Sequence, residues 1–398
     1  MNRYIGGILL VSGTTIGAGM LALPVVTGYA GFVPAAVLMI LFWAYMCYTA
    51  LLTLEVNLWM KNKNANMITM AEQTLGRWGH FTSWIIYLFL LYALTTAYLA
   101  ACGPIIVDFI ESFTGATLPK ELGALPLLLI FVYFIYKGTR SVDYLNRVLM
   151  MGLVISYVFM VVLAMPHIDT IKLQQFNIDA LLLGASIVAT SFGFHIIIPS
   201  LSTYLERDAK RLRTVIVIGS LIPLVIYLIW EFLVLGILPL EILNKGYQAG
   251  ANSAQLLADY LEHSFLASAA RFFAFFAIVT SFLGVSLSLA DFLADGFKIE
   301  KTAAGKAGIC FLTFAPPIAF ALGNPRAFLV ALDYAGTFGV VLLLGLMPAL
   351  MVLFGKKRFS KEASYKAPGG KTLLITSIAL SLVLIAFEIA LKFNLIVV

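Results

Sequence analysis

Apolar stretches long enough to cross a lipid bilayer recur from one end of this sequence to the other. Of its 398 residues, 61% are hydrophobic and only 12% are charged. A soluble protein carries about twice that fraction of charged residues. In the hydrocarbon core every backbone polar group must be satisfied internally, so spanning segments of about 20 apolar residues form helices. The sequence therefore predicts an all-α polytopic membrane protein with a single transmembrane domain over residues 1–398.

Eleven apolar stretches are predicted to cross the membrane, and we refer to them as spans 1 to 11. The first is predicted to remain as a span, because no small-residue cleavage site with a polar mature start follows it. The eleven predicted spans cover residues 4–27, 33–59, 81–107, 123–137, 147–166, 180–202, 213–237, 265–295, 306–323, 326–354 and 373–396.

Basic residues are concentrated in every second loop. Twenty lysines and arginines lie in the loops on the side of the N-terminus, with large groups within residues 207–213 and 356–371. Cytoplasmic loops carry such an excess, so the N-terminus is predicted to be cytoplasmic and the C-terminus periplasmic. The net charge of +6 is therefore explained by the basic loops on one side of the membrane, and we predict no nucleic-acid partner from it. The loops of the opposite side contain Lys120, Lys172, Lys245 and Arg326.

Span 1 contains a segment that is poorly suited to a continuous helix. Residues 12–24 include Gly13, Gly17 and Gly19, and end at Pro24. Each glycine costs about 1 kcal/mol relative to alanine in a helix. A broken backbone is tolerated in lipid only where its freed N–H and C=O groups find partners. The segment therefore predicts a helix break that faces a cavity, an ion or a ligand.

Span 6 has a similar interruption, from Thr190 to His195, with Pro199 after it. The two interruptions are five spans apart, so the halves that contain them enter the membrane from opposite sides. Such paired breaks are typical of the midplane site of secondary transporters with inverted repeats. We predict a 5+5 inverted repeat, with repeat one over 4–166, repeat two over 180–354 and an additional helix at 373–396. The alternative is that these are packing glycines and ordinary proline kinks.

Two broken helices suit an amino acid as the ligand. The half-helix that begins near Gly19 offers free N–H groups to a carboxylate, and the half-helices that end near Ser12 and Ser191 offer carbonyl oxygens to an ammonium group. Aromatic side chains with a few hydroxyls would accept a ring with a polar tip. The residues predicted to bind substrate are Gly13, Thr14, Thr15, Ile16, Gly17, Ala18, Gly19, Tyr92, Thr95, Phe192, Gly193, Phe194 and His195.

Four residues are candidates for ion coupling. Thr280 and Ser281 place adjacent hydroxyls in the middle of span 8, where they either coordinate a cation or bond back to their own helix. Glu55 and Asp291 near the inner ends of spans 2 and 8 either bind and release a proton or pair with loop lysines. His195 is either a substrate contact or part of a proton path. Further acidic residues within the spans are Glu231, Asp295, Asp333 and Glu388.

Several of these motifs together resemble the hydroxy/aromatic amino acid permeases of the amino acid–polyamine–organocation superfamily. The resemblance covers nearly the whole chain, and the tyrosine-specific members match best, followed by tryptophan permeases. It rests on GTTIGAGMLALP at 13–24, MCYTALL at 46–52, YALT at 92–95, TSFGFH at 190–195 and TSFLGV at 280–285.

The resemblance implies a LeuT-like fold in a bacterial inner membrane and proton-coupled uptake of an aromatic L-amino acid, with tyrosine first, by alternating access. Tryptophan as the substrate and sodium as the coupling ion are the alternatives. It implies no cofactor beyond the proton motive force and leaves the oligomeric state open. The family pattern extends to residues 13–19, residues 192–195, Thr280, Ser281, Glu55 and Asp291, whereas Asp333 departs from it.

Two other classes of function compete with a transporter. A membrane-embedded enzyme would use His195, but the other three histidines lie toward loops, and no metal-binding motif is present. We therefore predict neither an enzyme nor a metal site. A channel would be recognised by single-channel currents or by transport that does not saturate.

Overall fold

The protein is almost entirely helical in a computed structural model that describes residues 3–62, 65–115, 123–137, 139–261, 265–300, 302–359, 365–393 and 395. Four of the loop lysines used for the topology prediction lie outside these residues, as does the predicted end of span 11 at residue 396. Those lysines are Lys63, Lys120, Lys301 and Lys361.

Sixteen α-helices are described, and short 3₁₀ turns or a π-helical stretch connect some of them. They are α1 (Arg3–Thr15), α2 (Leu23–Thr27), α3 (Phe32–Trp59), α4 (Met67–Thr114), α5 (Ala124–Lys137), α6 (Thr139–Ala164), α7 (Ala185–Ser191), α8 (Ile198–Tyr204), α9 (Ala209–Ile237), α10 (Leu240–Ala249), α11 (Ser253–Tyr260), α12 (Phe265–Gly296), α13 (Ala303–Gly323), α14 (Ala327–Tyr334), α15 (Met347–Phe359) and α16 (Gly370–Lys392).

Ten of the eleven predicted spans are long and apolar enough to cross a membrane. Within the described residues, nine pass this test as single segments, including the interrupted span 6, and α1 forms the tenth together with the segment Ala18–Thr27, bent by 44°. The remaining predicted span is α5, whose 14 residues extend about 21 Å at 1.5 Å per residue. A bilayer core is about 30 Å thick. Eleven spans therefore stay a prediction.

The structure contains helices that an apolar-run count does not detect. The helix of span 3 begins at Met67, well before the predicted start at 81, and Gly76 with a φ of 77° separates its first turns from the rest. The loop after span 7 folds into α10 and α11. These segments are amphipathic or polar, so their helical character does not appear in a search for continuous hydrophobic stretches.

The core is built where the long helices pack on one another around the two interrupted ones. The helix α12 packs on α4 and α6, and α9 packs on α1 and α3. Between them, the 3₁₀ turn Ala18–Leu21 contacts both α7 and α12. Span 10 passes through a π-helical stretch, Ala335–Leu346, that also packs on α7 and α4. Because π-helical turns are frequent at functional sites, a site is expected at the centre of the bundle.

Candidate substrate site at two helix breaks

The break in span 1 separates α1 from the 3₁₀ turn at Ala18. The last residue of α1 is Thr15, and Gly17 has an extended backbone. The backbone N–H of Ala18 donates to the Ser281 hydroxyl at 3.0 Å. A Cβ atom at Gly17 would overlap that same hydroxyl oxygen. Glycine is therefore needed here because α12 approaches the broken backbone closely.

The break in span 6 lies where the sequence predicts it. The helix α7 ends at Ser191, residues Phe192 to Phe194 are not helical, and a 3₁₀ turn begins at His195. The two breaks are adjacent, since a Cβ atom at Gly19 would lie 3.1 Å from the Ser191 hydroxyl. The broken backbone segments of both spans therefore face one region of the bundle.

The Tyr227 side chain on α9 connects the two breaks. Its hydroxyl lies 2.6 Å from the Thr15 carbonyl oxygen and 2.9 Å from the Ser191 carbonyl oxygen. Tyr227 is fully buried, and its ring packs on Phe192 with centroids 5.3 Å apart. The last residues of α1 and α7 are thus held at a fixed separation by one hydroxyl group.

A cavity of about 420 Å³ begins at these breaks and is lined by spans 1, 3, 5, 6, 8 and 10. This volume is within the range of small-molecule sites, about 300–1,000 Å³. Its wall includes nine residues that the sequence predicts as substrate or ion contacts: Gly13, Thr14, Thr15, Ile16, Gly17, Gly19, Gly193, Thr280 and Ser281.

Span 3 lines the cavity with a face that the sequence does not single out. From Tyr87, the lining residues follow at intervals of three, four, seven and eleven residues, which places them on one side of a helix. Tyr92 is one position off this face, and its hydroxyl donates instead to the Leu312 carbonyl at 2.8 Å. The Thr95 hydroxyl donates to the Leu91 carbonyl at 2.7 Å. The cavity-lining residues of span 3 are Tyr87, Leu90, Leu91, Leu94 and Tyr98.

The aromatic residues at the span 6 break do not line the cavity. Phe192 packs against Tyr227, and Phe194 is fully buried in a cluster formed with α3, α8 and α9. The His195 Nε2 atom lies 2.9 Å from the Thr49 hydroxyl on α3. The wall of Tyr92, Phe194 and His195 expected from the sequence is thus not assembled around this cavity. Its aromatic lining consists of Tyr87 and Tyr98.

The ion-coupling candidates occupy two different places. Thr280 and Ser281 line the cavity and donate to the Phe276 and Ala277 carbonyls of their own helix at 2.8 and 2.9 Å. Glu55 is buried near the end of α3 and accepts a hydrogen bond from the Ala367 backbone N–H at 2.7 Å. Asp291 is half-buried on α12. Neither carboxyl side chain lines the cavity. Their predicted role in coupling stays untested.

Three further polar residues line the cavity, although the sequence does not single them out as site residues. Thr190 and Ser288 contribute hydroxyls, and Asn146 contributes an amide whose Oδ1 atom is buried without a partner among the described atoms. A buried acceptor of this kind normally has a hydrogen-bond partner. Asn146 is therefore a natural contact for a donor on a bound molecule.

The opposite end of the bundle is closed by the helices of the loop after span 7. On α11, the Ser253 hydroxyl donates to the Leu21 carbonyl at 2.6 Å and accepts from the Trp230 indole N–H at 3.2 Å. The helix α10 packs on α2. The Thr27 end of the site is thus covered by α10 and α11, whereas Thr14 in the cavity wall is exposed.

The chain also matches known protein families. The model of the tryptophan/tyrosine permease family matches residues 1–388. The chain belongs to this family. It is 35% identical to the tyrosine-specific transport system 1 of Haemophilus influenzae, with 98% of each chain covered. It is 32% identical to the tryptophan-specific transport protein of the same organism, with 93% of this chain and 91% of that protein covered.

Among solved structures, the chain is similar to MhsT in complex with L-phenylalanine. The TM-score is 0.70 with 14% sequence identity, and the similarity covers 97% of both chains. This confirms the predicted LeuT-like fold at the level of overall architecture. Membership of a permease family confirms that the chain is a multi-pass membrane transport protein and not an enzyme. Among the residues that the structure describes, no group of three metal-ligating side chains is close enough to hold an ion.

Proposed function

We propose that this permease is a secondary transporter that brings an aromatic L-amino acid, with tyrosine first, into the cytoplasm together with a proton. The observation that carries the proposal is the cavity between the two breaks. The first turn of the half-helix at Ala18–Leu21 presents N–H groups for a carboxylate, apart from that of Ala18, which donates to Ser281. The carbonyl groups at the ends of α1 and α7 contact Tyr227 and keep a second lone pair for an ammonium group. The relatives named for tyrosine and tryptophan transport support the substrate class.

The rest of the cavity suits a ring with a polar tip. Tyr87 and Tyr98 offer aromatic surface, with leucines between them along span 3. The unpartnered Oδ1 of Asn146 would accept a hydrogen bond from a phenol hydroxyl. Phenylalanine has no such donor and would leave this acceptor buried and unpaired, at a cost of about 1–3 kcal/mol. Tryptophan is the second candidate, because its indole N–H supplies the same donor and a similar relative bears its name.

Transport is proposed to follow alternating access in a bacterial inner membrane. With the N-terminus in the cytoplasm, as the basic loops indicate, the Arg3 end is cytoplasmic and the cavity opens inward. A proton is the proposed coupling ion. Sodium is the alternative, because the hydroxyls of Thr280 and Ser281 lie beside the carbonyl end of α1 and would supply oxygen ligands.

Purified protein in proteoliposomes tests the proposal. We expect labelled tyrosine to accumulate when a proton gradient is directed inward, and to equilibrate without accumulation when the gradient is collapsed. Unlabelled tyrosine and tryptophan should compete more strongly than phenylalanine, by about tenfold for a lost hydrogen bond of 1.4 kcal/mol. Accumulation that follows a sodium gradient instead would contradict the proton coupling and assign Thr280 and Ser281 as ion ligands.

A further inference from the structure

Glu231 on α9 is an acidic residue inside the membrane domain that the substrate site leaves unused. It is fully buried, on the helix that also bears Tyr227. Its Oε1 atom lies 2.5 Å from the hydroxyl of Thr27, the last residue of α2. Its Oε2 atom is buried and has no partner among the described atoms. Ionisable residues inside a membrane are costly and mark functional sites by default.

The Thr27 hydroxyl has two short contacts but only one hydrogen. Its Oγ1 atom lies 2.7 Å from the Leu23 carbonyl oxygen as well as 2.5 Å from Glu231 Oε1. A hydroxyl has one hydrogen to donate, and a carbonyl has none. If Glu231 is ionised, only one of the two short contacts is a hydrogen bond. If Glu231 carries a proton, Thr27 donates to Leu23, Glu231 donates to Thr27, and both contacts are hydrogen bonds.

No ion pair with a neighbouring cation that the structure describes compensates the charge that Glu231 would carry as a carboxylate. Among the described residues, Glu231 forms no ion pair, and α2 contains no titratable residue. The titratable groups on the other elements packed on this end of α9 have different nearest contacts. Tyr157 donates to the Ile226 carbonyl, and Lys172 donates to the Ile237 carbonyl. The His167 Nδ1 atom lies 3.1 Å from the Leu163 carbonyl oxygen, and an Asp259 carboxyl oxygen lies 4.0 Å from the Arg271 guanidinium. The ring of Tyr260 lies under the Lys172 ammonium group.

Glu231 also lies where its access to solvent would change as the transporter opens to one side or the other. Tyr227 is four residues earlier, on the same face of α9, and its hydroxyl contacts both helix breaks. Thr27 belongs to the half-helix that α10 and α11 cover. A movement that uncovers α2 would give the carboxyl access to the outer side, and rearrangement of the breaks would give it access to the cavity.

We propose that Glu231, hydrogen-bonded to Thr27, is the site that binds the co-transported proton. The carboxylate takes up one proton when the outer side is open and releases it as a carboxylate when the cavity is open to the cytoplasm. The proposal rests on the proposed proton-coupled function and replaces Glu55 and Asp291 as the carriers of the proton.

The test compares Glu231→Gln with Glu231→Asp and with the control Glu388→Gln, which alters another buried acid on α16. Glutamine donates to Thr27 as the protonated acid does but cannot release a proton. We expect Glu231→Gln to exchange labelled for unlabelled tyrosine within about twofold of the wild-type rate. Its accumulation driven by an inward proton gradient should fall by about tenfold or more. Glu231→Asp and Glu388→Gln should both keep gradient-driven accumulation.

Three outcomes separate the inference from the function on which it rests. If the wild-type protein accumulates tyrosine only with a sodium gradient, the proposed coupling fails. If the wild type is driven by protons and Glu231→Gln accumulates equally well, Glu231 is not the proton site. The inference is also overturned if the glutamine and aspartate variants lose exchange and accumulation to the same extent, because Glu231 would then be structural.

Discussion

At the residue scale, the close approach of two helices makes Gly17 indispensable to the break in span 1. The Ser281 hydroxyl occupies the place where a Cβ atom of residue 17 would lie, and it accepts the hydrogen bond of the Ala18 N–H. The same hydroxyl donates to the Ala277 carbonyl. A single oxygen atom of α12 therefore accepts the hydrogen bond at the start of the second half-helix of span 1.

We expect Gly17→Ala to reduce tyrosine uptake by about tenfold or more, since a displacement of about 1 Å at a binding site costs up to about a hundredfold. The added methyl group must move either Ser281 or the backbone that offers its N–H groups. Uptake in proteoliposomes at matched protein levels measures the effect. Gly308→Ala is the matched control, because a Cβ atom at Gly308 on α13 meets nothing within 4 Å. Equal uptake by both variants would contradict this account of the break.

At the scale of elements, the two interrupted spans work as a unit because α9 connects them. Tyr227 holds the carbonyl ends of α1 and α7 together, while α11 bonds to the turn after the first break through Ser253. The ends of α1 and α7 thus share a partner on α9, and the turn after the first break has a partner on α11. Any rearrangement that changes the separation of the two breaks must break or move the Tyr227 hydrogen bonds.

Tyr227→Phe is expected to weaken substrate binding by about 1 to 3 kcal/mol, or about 5- to 150-fold, because the carbonyl group that accepts the single hydroxyl hydrogen of Tyr227 loses its donor and the second carbonyl group loses its neighbour. The ring remains packed on Phe192, so we expect a folded protein with an unchanged elution profile. Binding of tyrosine, measured calorimetrically, gives the loss directly.

The control for this variant is Tyr157→Phe. It removes a hydroxyl that donates at 3.0 Å to the Ile226 carbonyl on the same helix but touches neither break. Binding should be close to that of the wild type. If the two variants lose the same affinity, the effect of Tyr227 is general packing rather than a connection between the breaks.

In the molecule as a whole, helices cover the site at one end of the bundle, and the cavity wall is exposed toward the other. The helices α10 and α11 cover the Thr27 end, and the cavity extends toward Arg3. The Arg3 side chain forms an ion pair with Glu206 beyond α8. Arg207 donates to the carbonyls of Asn57, Leu58 and Met60 at the end of α3. The segment after α8 therefore connects spans 1, 2 and 6 at the open end.

Cysteine accessibility tests both the orientation and the open side. Thr14→Cys should react with a membrane-impermeant thiol reagent only from the cytoplasmic face, and tyrosine should slow the reaction. Lys245→Cys on the exposed surface of α10 should react only from the outer face, whether or not tyrosine is present. The native cysteines Cys47, Cys102 and Cys310 are buried, so a weak background is expected. Labelling of Thr14→Cys from the outer face alone would reverse the topology.

Most of the architecture follows from the sequence, because lipid imposes the same two requirements on every segment. Apolar length places the spans, and glycine and proline in an apolar segment place the breaks, since backbone groups freed in lipid need partners. The sequence accordingly predicts interruptions at residues 12–24 and from Thr190 to His195. The short α5 and the early start of α4 at Met67 were less predictable, because neither depends on a long apolar run.

Only the tertiary structure decides which side chains face the cavity. A helix in a crowded membrane bundle has apolar residues on all sides, so its pattern does not indicate which face borders a void. Tyr92 and Tyr98 are both tyrosines in the apolar part of α4. Their different angles around the helix axis place Tyr98 at the cavity and Tyr92 against Leu312. The contacts of Tyr227 and Glu231 likewise depend on the packing of α9 on the half-helices of span 1. Apolar length and the placement of glycine and proline are enough to predict the membrane spans and the helix breaks, because both depend on local backbone chemistry. The residues that surround the substrate depend on helix rotation and packing, which distant parts of the chain decide.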